Sequence, residues 1–283
     1  MIPIRKKSSS NCASSATVGN REQFAKRILI LGVRGRPPLA KPSVWLAVMA
    51  VFLAPPQLAA APADLELVLA VDTSSSINDF EFRIQIEGYA AAFRYPDVHN
   101  EIDSAGDNGI AVSLLQWAGD GNPVVAVDWM LLRGAPSASA FADRIAAMPR
   151  YDSGDLTAIG DAIDFSLKQF ATNGFEANRQ TIDLSADGRS NEGGLPGSAR
   201  DRAVADGVTI NGLVVMRRAA LDLYFKRYVI GGPTAFVERV DRFEQMPAAV
   251  LRKLIREIIG LPVSRSDGVI DFANITPQHV LSP

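Results

Sequence analysis

The fold of this chain is decided by one stretch, LELVLAVDTSSS at residues 65–76. Its first seven residues are apolar except Glu66, which is typical of a strand buried on both faces of a parallel sheet. The run then changes into one aspartate and four hydroxyl-bearing residues. In open α/β sheets, ligands bind where the carboxyl ends of the strands meet the following loops. The stretch therefore predicts a buried strand with a polar site at its end.

An amphipathic helix is predicted directly after this stretch. Apolar residues recur at spacings of four, three and four over residues 79–94, so they share one helix face. Asn78 precedes the helix and Glu81 lies three residues further on, which is the arrangement of a capping box.

Strands and helices continue to alternate along the chain. Further strands are predicted at 109–117, 123–132, 180–185, 208–216 and 234–238, and further helices at 137–148, 158–173, 196–206, 219–228 and 247–259. The short turn between the strands at 109–117 and 123–132 implies an antiparallel hairpin. The alternation predicts an α/β fold, a Rossmann-like three-layer sandwich with helices on both faces. Its central sheet is expected to be mostly parallel, with one antiparallel edge strand.

The N-terminal region has the features of an export signal. Residues 44–54 form an apolar run behind Lys41, and small residues follow it. This pattern predicts a secretory signal peptide cleaved near Ala60–Ala63, and hence a periplasmic or secreted protein. The run is shorter than the roughly 20 apolar residues that span a bilayer, so no stable membrane span is expected. An uncleaved anchor and a buried strand are the alternatives.

Three regions follow from these patterns. We expect a basic extension plus signal peptide at residues 1–60, one domain at 61–262, and a polar C-terminal tail at 263–283. No internal repeat or linker divides the region from 61 to 262.

Charge is distributed unevenly along the chain. Residues 1–60 hold nine of the 29 Lys and Arg residues and one of the 31 acidic residues, so the remainder carries a formal charge of −10. This negative charge of the chain from residue 61 onward argues against nucleic acid as a partner, because phosphate binding needs a positive field. Cys12 is the one cysteine, which excludes an intrachain disulfide and a cysteine-based zinc site.

Oxygen-bearing side chains follow two of the predicted strands and precede one predicted helix, at what should be the same edge of the sheet. The candidate metal ligands are Asp72, Ser74, Ser76, Thr157 and Asp187. Two carboxylates and three hydroxyls suit a hard cation such as Mg²⁺, which keeps several waters. About three protein ligands would leave a coordination position open, and an acidic side chain of a partner could fill it.

These residues carry a resemblance to a known family. Asp-x-Ser-x-Ser at 72–76, Thr157 in Thr-x-x-Gly and Asp187-Gly188 resemble the metal-ion-dependent adhesion site of von Willebrand factor A-type domains, in the family's order. The resemblance covers about 64–260. The stretches IDLSADG at 182–188 and VIGGP at 229–233 look like a bacterial secreted branch without assigned function, DUF1194-like.

The resemblance implies the von Willebrand factor A-type fold, binding of Mg²⁺ (or Mn²⁺ or Ca²⁺), and recognition of a protein partner through the metal. The partner itself is unknown; it is expected to donate an acidic side chain to the cation. The resemblance implies an adhesion or interaction module and not an enzyme, so we expect no catalytic residue.

Two other functions stay open at this point. His99, in a predicted loop, and His279, in the tail, are the two histidines, and neither is placed for a Ser-His-Asp triad. Asp72 at a strand end leaves a Mg²⁺-dependent phosphatase-like hydrolase as one alternative. That chemistry usually needs a second acid and a lysine nearby, and the loop has Thr and Ser instead. A metal-independent scaffold that binds through its helices is the other alternative.

Asp183 interrupts what should be an apolar central strand. We expect it to face a polar pocket or to pair with a basic residue, in a structural role.

Overall fold

A computed structural model describes residues 59–119, 123–151 and 154–260 of the chain. The predicted basic extension and signal peptide lie outside these residues except for their last two positions, and the predicted tail at 263–283 lies outside them altogether. The boundaries of the three predicted regions therefore stay predictions.

Helices and strands alternate through the described part of the chain. The strands are β1 (Ala61–Ala63), β2 (Leu65–Asp72), β3 (Ile110–Trp117), β4 (Val124–Leu132), β5 (Phe175–Ala177), β6 (Gln180–Ala186), β7 (Thr209–Val215) and β8 (Val237–Val240). The helices are α1 (Asp79–Arg94), α2 (Pro96–Ser104), α3 (Gly134–Ala147), α4 (Ile159–Phe170), α5 (Pro196–Ala205), α6 (Leu221–Tyr228) and α7 (Met246–Ile259), with a 3-10 turn at Phe243–Gln245.

Six strands form one sheet in the order β4-β3-β2-β6-β7-β8. Every neighbouring pair is parallel except β3 and β4, which are antiparallel. The predicted parallel sheet with one antiparallel edge strand is confirmed. β1 and β5 form a separate two-stranded parallel sheet, which the sequence patterns did not predict.

Strand β2 lies in the middle of the sheet, and all eight of its residues are buried. Leu67 and Leu69 belong to one apolar cluster, which includes side chains of α1, α2, α3 and α7. Val68 and Ala70 belong to the other, which includes side chains of α4, α5 and α6. Successive side chains of a strand point to opposite faces, so this alternation produces the helix–sheet–helix layers. The three-layer prediction is confirmed.

Helix α1 begins as its sequence predicts. The Asn78 side chain accepts hydrogen bonds from the main-chain N–H groups of Phe80 and Glu81, and the Glu81 carboxylate accepts one from the Asn78 N–H. This cap fixes where the loop after β2 ends and the helix starts.

The placement of His99 in a loop is wrong, because this residue lies within helix α2. The helix has nine residues and begins at Pro96, so it is too short to show a clear apolar period. The His99 Nε2 lies 2.9 Å from the Phe93 carbonyl oxygen.

No helix among the described residues combines the length and apolar character needed to cross a membrane.

Asp183 is paired with a basic residue, as one of the two sequence interpretations expected. Its Oδ1 lies 2.6 Å from the Nζ of Lys253 in α7, and both side chains are buried. Lys253 also pairs with Glu257, one turn further along the same helix. An ion cluster therefore ties the central strand β6 to α7.

Candidate metal centre

The loop after β2 turns around the carboxylate of Asp72, which is fully buried. The main-chain N–H of Ser74 donates a hydrogen bond to Asp72 Oδ1 over 2.8 Å. An aspartate that accepts from the N–H two residues ahead forms a tight turn, which explains why this loop leaves the strand sharply. Asp72 Oδ2 has no hydrogen-bond partner among the described residues. A buried carboxylate oxygen without a donor is costly, so this oxygen is available to a cation.

The second carboxylate reaches the same place from β6. Because β2 and β6 are parallel neighbours, with Val71 opposite Ser185, their carboxyl ends lie at one edge of the sheet. The Ser76 hydroxyl donates to Asp187 Oδ1 over 2.6 Å, and the hydroxyl oxygens of Ser74 and Ser76 are 3.1 Å apart. The structure therefore brings four of the five predicted residues into one connected set.

Thr157 approaches this set from the loop before α4. Its hydroxyl oxygen lies 3.8 Å from the position that a β-carbon on Gly188 would occupy. Its main-chain N–H donates to Asn191 Oδ1 over 2.8 Å, and the Asn191 N–H donates to the Thr157 carbonyl over 3.0 Å. These two bonds tie the Thr157 loop to the loop after Asp187. Thr157, Ser76 and Asp187 line one open cavity of about 540 Å³.

Burial dominates the electrostatics of the two carboxylates. It raises the pKa of Asp72 to about 7; hydrogen bonding from Ser74 opposes that rise, and the negative charge of Asp187 adds to it. Burial also raises the pKa of Asp187, against the opposing effects of Ser76 and Arg217. Two desolvated acids at one point favour a cation between or beside them, since a positive charge stabilises both ionised forms.

Arg217 faces this set, and the sequence interpretation missed it. Its Nε lies 2.9 Å from Asp187 Oδ2, close enough for an ion pair but not aligned as a hydrogen bond. The same guanidinium also pairs with Glu81 in α1. A signal for this contact was present, because Arg217 and Arg218 come directly after the predicted strand 208–216, whose carboxyl end lies at the same edge.

Arg150 stabilises the loop after β2 through hydrogen bonds and an ion pair. No local sequence pattern predicted this role. One of its terminal nitrogens donates to the carbonyl oxygens of Thr73 over 3.0 Å and Ile77 over 2.7 Å. The other pairs with Asp79 over 2.7 Å. The contact joins residues more than seventy positions apart, so only the folded chain reveals it.

The donor set fits a hard divalent cation. It consists of two carboxylates and three hydroxyls, which are oxygen ligands of the kind that Mg²⁺, Mn²⁺ and Ca²⁺ take. No group of three or more His, Cys, Asp or Glu side chains placed to hold a metal occurs within the described ranges. A cation here would rely on hydroxyls and water for its remaining ligands.

Three comparisons with known proteins bear on this arrangement. Residues 62–262 match the model of a family described as "Protein of unknown function (DUF1194)". The comparison with curated proteins found no match. Solved structures of similar fold include proximal thread matrix protein 1 from the mussel byssus, with a TM-score of 0.55 and 15% identity over 69% of this chain and 48% of that one.

A second structure of the same mussel protein has a zinc-occupied MIDAS motif, with a TM-score of 0.50 and 16% identity over 69% of this chain and 48% of that one. A von Willebrand factor type A structure from Catenulispora acidiphila also matches, with a TM-score of 0.47 and 12% identity over 69% of this chain and 43% of that one. This chain spans about half the length of each of these three structures. The chain shares its fold with the mussel protein and belongs to the DUF1194 family.

Proposed function

We propose that this protein is a divalent-cation-dependent protein-binding module. One observation carries the proposal: one carboxylate oxygen of the fully buried Asp72 accepts from no donor in the described part of the chain, and it lies beside the hydrogen-bonded set of Ser74, Ser76 and Asp187. Together with Thr157, these residues would hold Mg²⁺, or Mn²⁺ or Ca²⁺. When bound, the cation would supply an electrophilic position for a carboxylate oxygen of the partner.

The charges of the ligands suit this role. Two carboxylates balance the two positive charges of the cation, while the three hydroxyls add no charge. With the cation bound, the site would carry no net negative charge, so it would repel one more anionic ligand less than a site with three or four carboxylates. The open cavity of about 540 Å³ gives such a ligand access.

Similarity to the mussel protein supports a cation at this edge, because one of its structures has a MIDAS motif occupied by zinc. The preference for Mg²⁺, the partner and the absence of catalysis in this chain are parts of the proposal. So is export to the periplasm or the medium, which rests on the signal peptide predicted within residues 1–60.

The proposal is tested by thermal unfolding with and without cation. Because a ligand that binds only the folded state stabilises it, Mg²⁺ or Mn²⁺ at about 100 times its dissociation constant should raise Tm by about 5–10 °C. Asp72→Asn keeps the side-chain shape but removes the charge, so it should abolish most of this rise.

Asp128→Asn is the matched control, since Asp128 is an exposed aspartate of the edge strand β4 and should leave the rise unchanged. Equal responses of the wild type and Asp72→Asn would refute the site. Isothermal titration of the same three proteins with Mn²⁺ measures the binding directly.

A further inference from the structure

The edge that carries the candidate metal centre also carries three arginines. Arg189 comes two residues after Asp187, and Arg217 and Arg218 follow the end of β7. Because β6 and β7 are parallel neighbours, these arginines and Asp187 share one edge of the sheet.

Two adjoining cavities join the arginines to the metal ligands. The cavity that contains Ser76, Thr157 and Asp187 is also lined by all three arginines, and Asp155 contributes an acid to it. The second cavity, of about 610 Å³, is lined by Arg189, Arg217 and Arg218 with polar and small residues. No acidic side chain of the described residues lines this second cavity. A basic groove therefore leads away from the candidate cation position.

The three arginines differ in how strongly they are engaged. Arg217 pairs with Asp187 and Glu81. Arg189 lies over the ring of Tyr224, with its guanidinium carbon 5.4 Å from the ring centre. Arg189 and Arg218 are exposed, and no acid in the described part of the chain forms an ion pair with either. Both can therefore meet an anionic group from outside.

The positive charge of these arginines is opposite in sign to the net charge of the rest of the domain. The chain from residue 61 onward carries a formal charge of −10, which repels an anionic partner at a distance. Exposed arginines beside the candidate metal centre would offset this repulsion there, and complementary charge of this kind sets specificity and the association rate.

Apolar side chains at the same edge favour a peptide over a bare polyanion. Phe80 at the start of α1 is 65% exposed, Leu156 beside Thr157 is 44% exposed, and Leu195 before α5 is 75% exposed. Exposed large apolar residues around a polar site mark protein interaction surfaces, and a sulfated or phosphorylated polymer would leave them uncovered.

We propose that the partner presents a run of acidic side chains in a peptide segment. One carboxylate reaches the cation, and at least one neighbouring carboxylate reaches Arg189 and Arg218. This inference rests on the proposed function and specifies the partner that the same site would select.

Two fluorescent peptides of equal length and identical flanking residues test it on the full chain. One contains four consecutive aspartates and the other a single aspartate among asparagines. In 1 mM Mn²⁺, fluorescence anisotropy should show that wild type binds the four-aspartate peptide about tenfold more tightly, since each added exposed ion pair contributes modestly. EDTA should abolish both interactions.

The double variant Arg189→Gln/Arg218→Gln should lose this preference and keep its affinity for the single-aspartate peptide. Arg83→Gln/Arg144→Gln is the matched control, because both arginines are exposed on α1 and α3 and the charge change is the same. This control should keep the preference.

The outcomes separate the two proposals. If Mn²⁺ fails to stabilise the wild type, the proposed function is wrong and this inference fails with it. If Mn²⁺ stabilises the protein but the peptides bind equally, or the double variant keeps the preference, only this inference is overturned. Binding of dextran sulfate that survives EDTA and matches the peptide's affinity would show general attraction to anions and would also overturn it.

Discussion

Arg217 and Asp187 are the two oppositely charged side chains in direct contact at the candidate metal centre. Asp187 is almost fully buried, whereas the Arg217 side chain is 38% exposed. In the absence of a cation, the guanidinium lowers the pKa of Asp187 against the larger effect of burial, which raises it. Arg217 is thus an internal counter-charge that a metal ion has to compete with.

Arg217→Gln should therefore increase the affinity for Mn²⁺. We expect a gain of about twofold to fivefold, because a partly exposed ion pair is worth up to about 1 kcal/mol and a tenfold change needs about 1.4 kcal/mol. Arg218→Gln is the control, since it removes the same charge from the same loop without contacting Asp187, and it should change the affinity less than about twofold. Titration calorimetry with Mn²⁺ measures both; equal effects would mean that Arg217 acts only through long-range charge.

At the scale of elements, helix α4 and the loop after Asp187 are in close backbone contact. A β-carbon at Gly160 would lie 2.2 Å from the carbonyl oxygen of Gly194. The Gly194 N–H also donates to Asp161 Oδ1 over 2.8 Å. This contact holds the start of α4 against the loop that follows β6, and so keeps Thr157 near Asp187.

Gly160→Ala should destabilise the domain and weaken its response to cation. The added methyl meets main-chain atoms that cannot rotate away, so we expect a loss of about 1–3 kcal/mol and a fall in Tm of several degrees.

Gly197→Ala in α5 provides the comparison, since its β-carbon would have only ordinary contacts, the nearest at 3.8 Å. Alanine is also the better helix former, so this variant should be neutral or slightly stabilised. Urea unfolding of both variants decides the point, and a neutral Gly160→Ala would disprove the close packing of α4.

At the scale of the whole molecule, a buried polar cluster crosses the core away from the candidate metal centre. It joins α1, β6, β7 and α7 through Tyr89, Asp183, Asn211, Lys253 and Glu257. Burial raises the pKa of Glu257 to about 8, and the charge of Asp183 adds to the rise, while Lys253 and Asn211 oppose it. The positive charge of Arg256, which precedes Glu257 in α7, also interacts with the charge of Glu257.

The domain should lose stability as pH rises above about 4.5, because Glu257 keeps its proton in the folded state but loses it in the unfolded state. With a folded pKa near 8, Glu257 goes on contributing to this loss of stability up to about pH 8.

Glu257→Gln should reduce this dependence and leave the part that comes from Asp72, whose pKa is also raised by burial, whereas the exposed Glu244→Gln should leave the dependence unchanged. Urea unfolding at pH 5, 6.5 and 8 in EDTA measures the slopes. Identical slopes for wild type and Glu257→Gln would show that Glu257 is ionised in the folded protein.

Local patterns were enough to predict most elements of the sheet and its helices. Strand β2 could be read from its apolar run and helix α1 from its period and its Asn78 cap. Helix α2 was missed because nine residues after a proline show little periodicity. The three-residue strands β1 and β5 were missed because they are too short for a pattern of their own.

The sequence by itself determined the α/β class and the kind of oxygen ligands, because period, strand ends and residue chemistry are local properties. Only the tertiary structure brought Ser76 to within 2.6 Å of Asp187, set Arg217 against the same carboxylate, braced the loop with Arg150 and paired Asp183 with Lys253. These contacts join residues 30 to 111 positions apart. They depend on strand order and helix packing, which no single segment encodes.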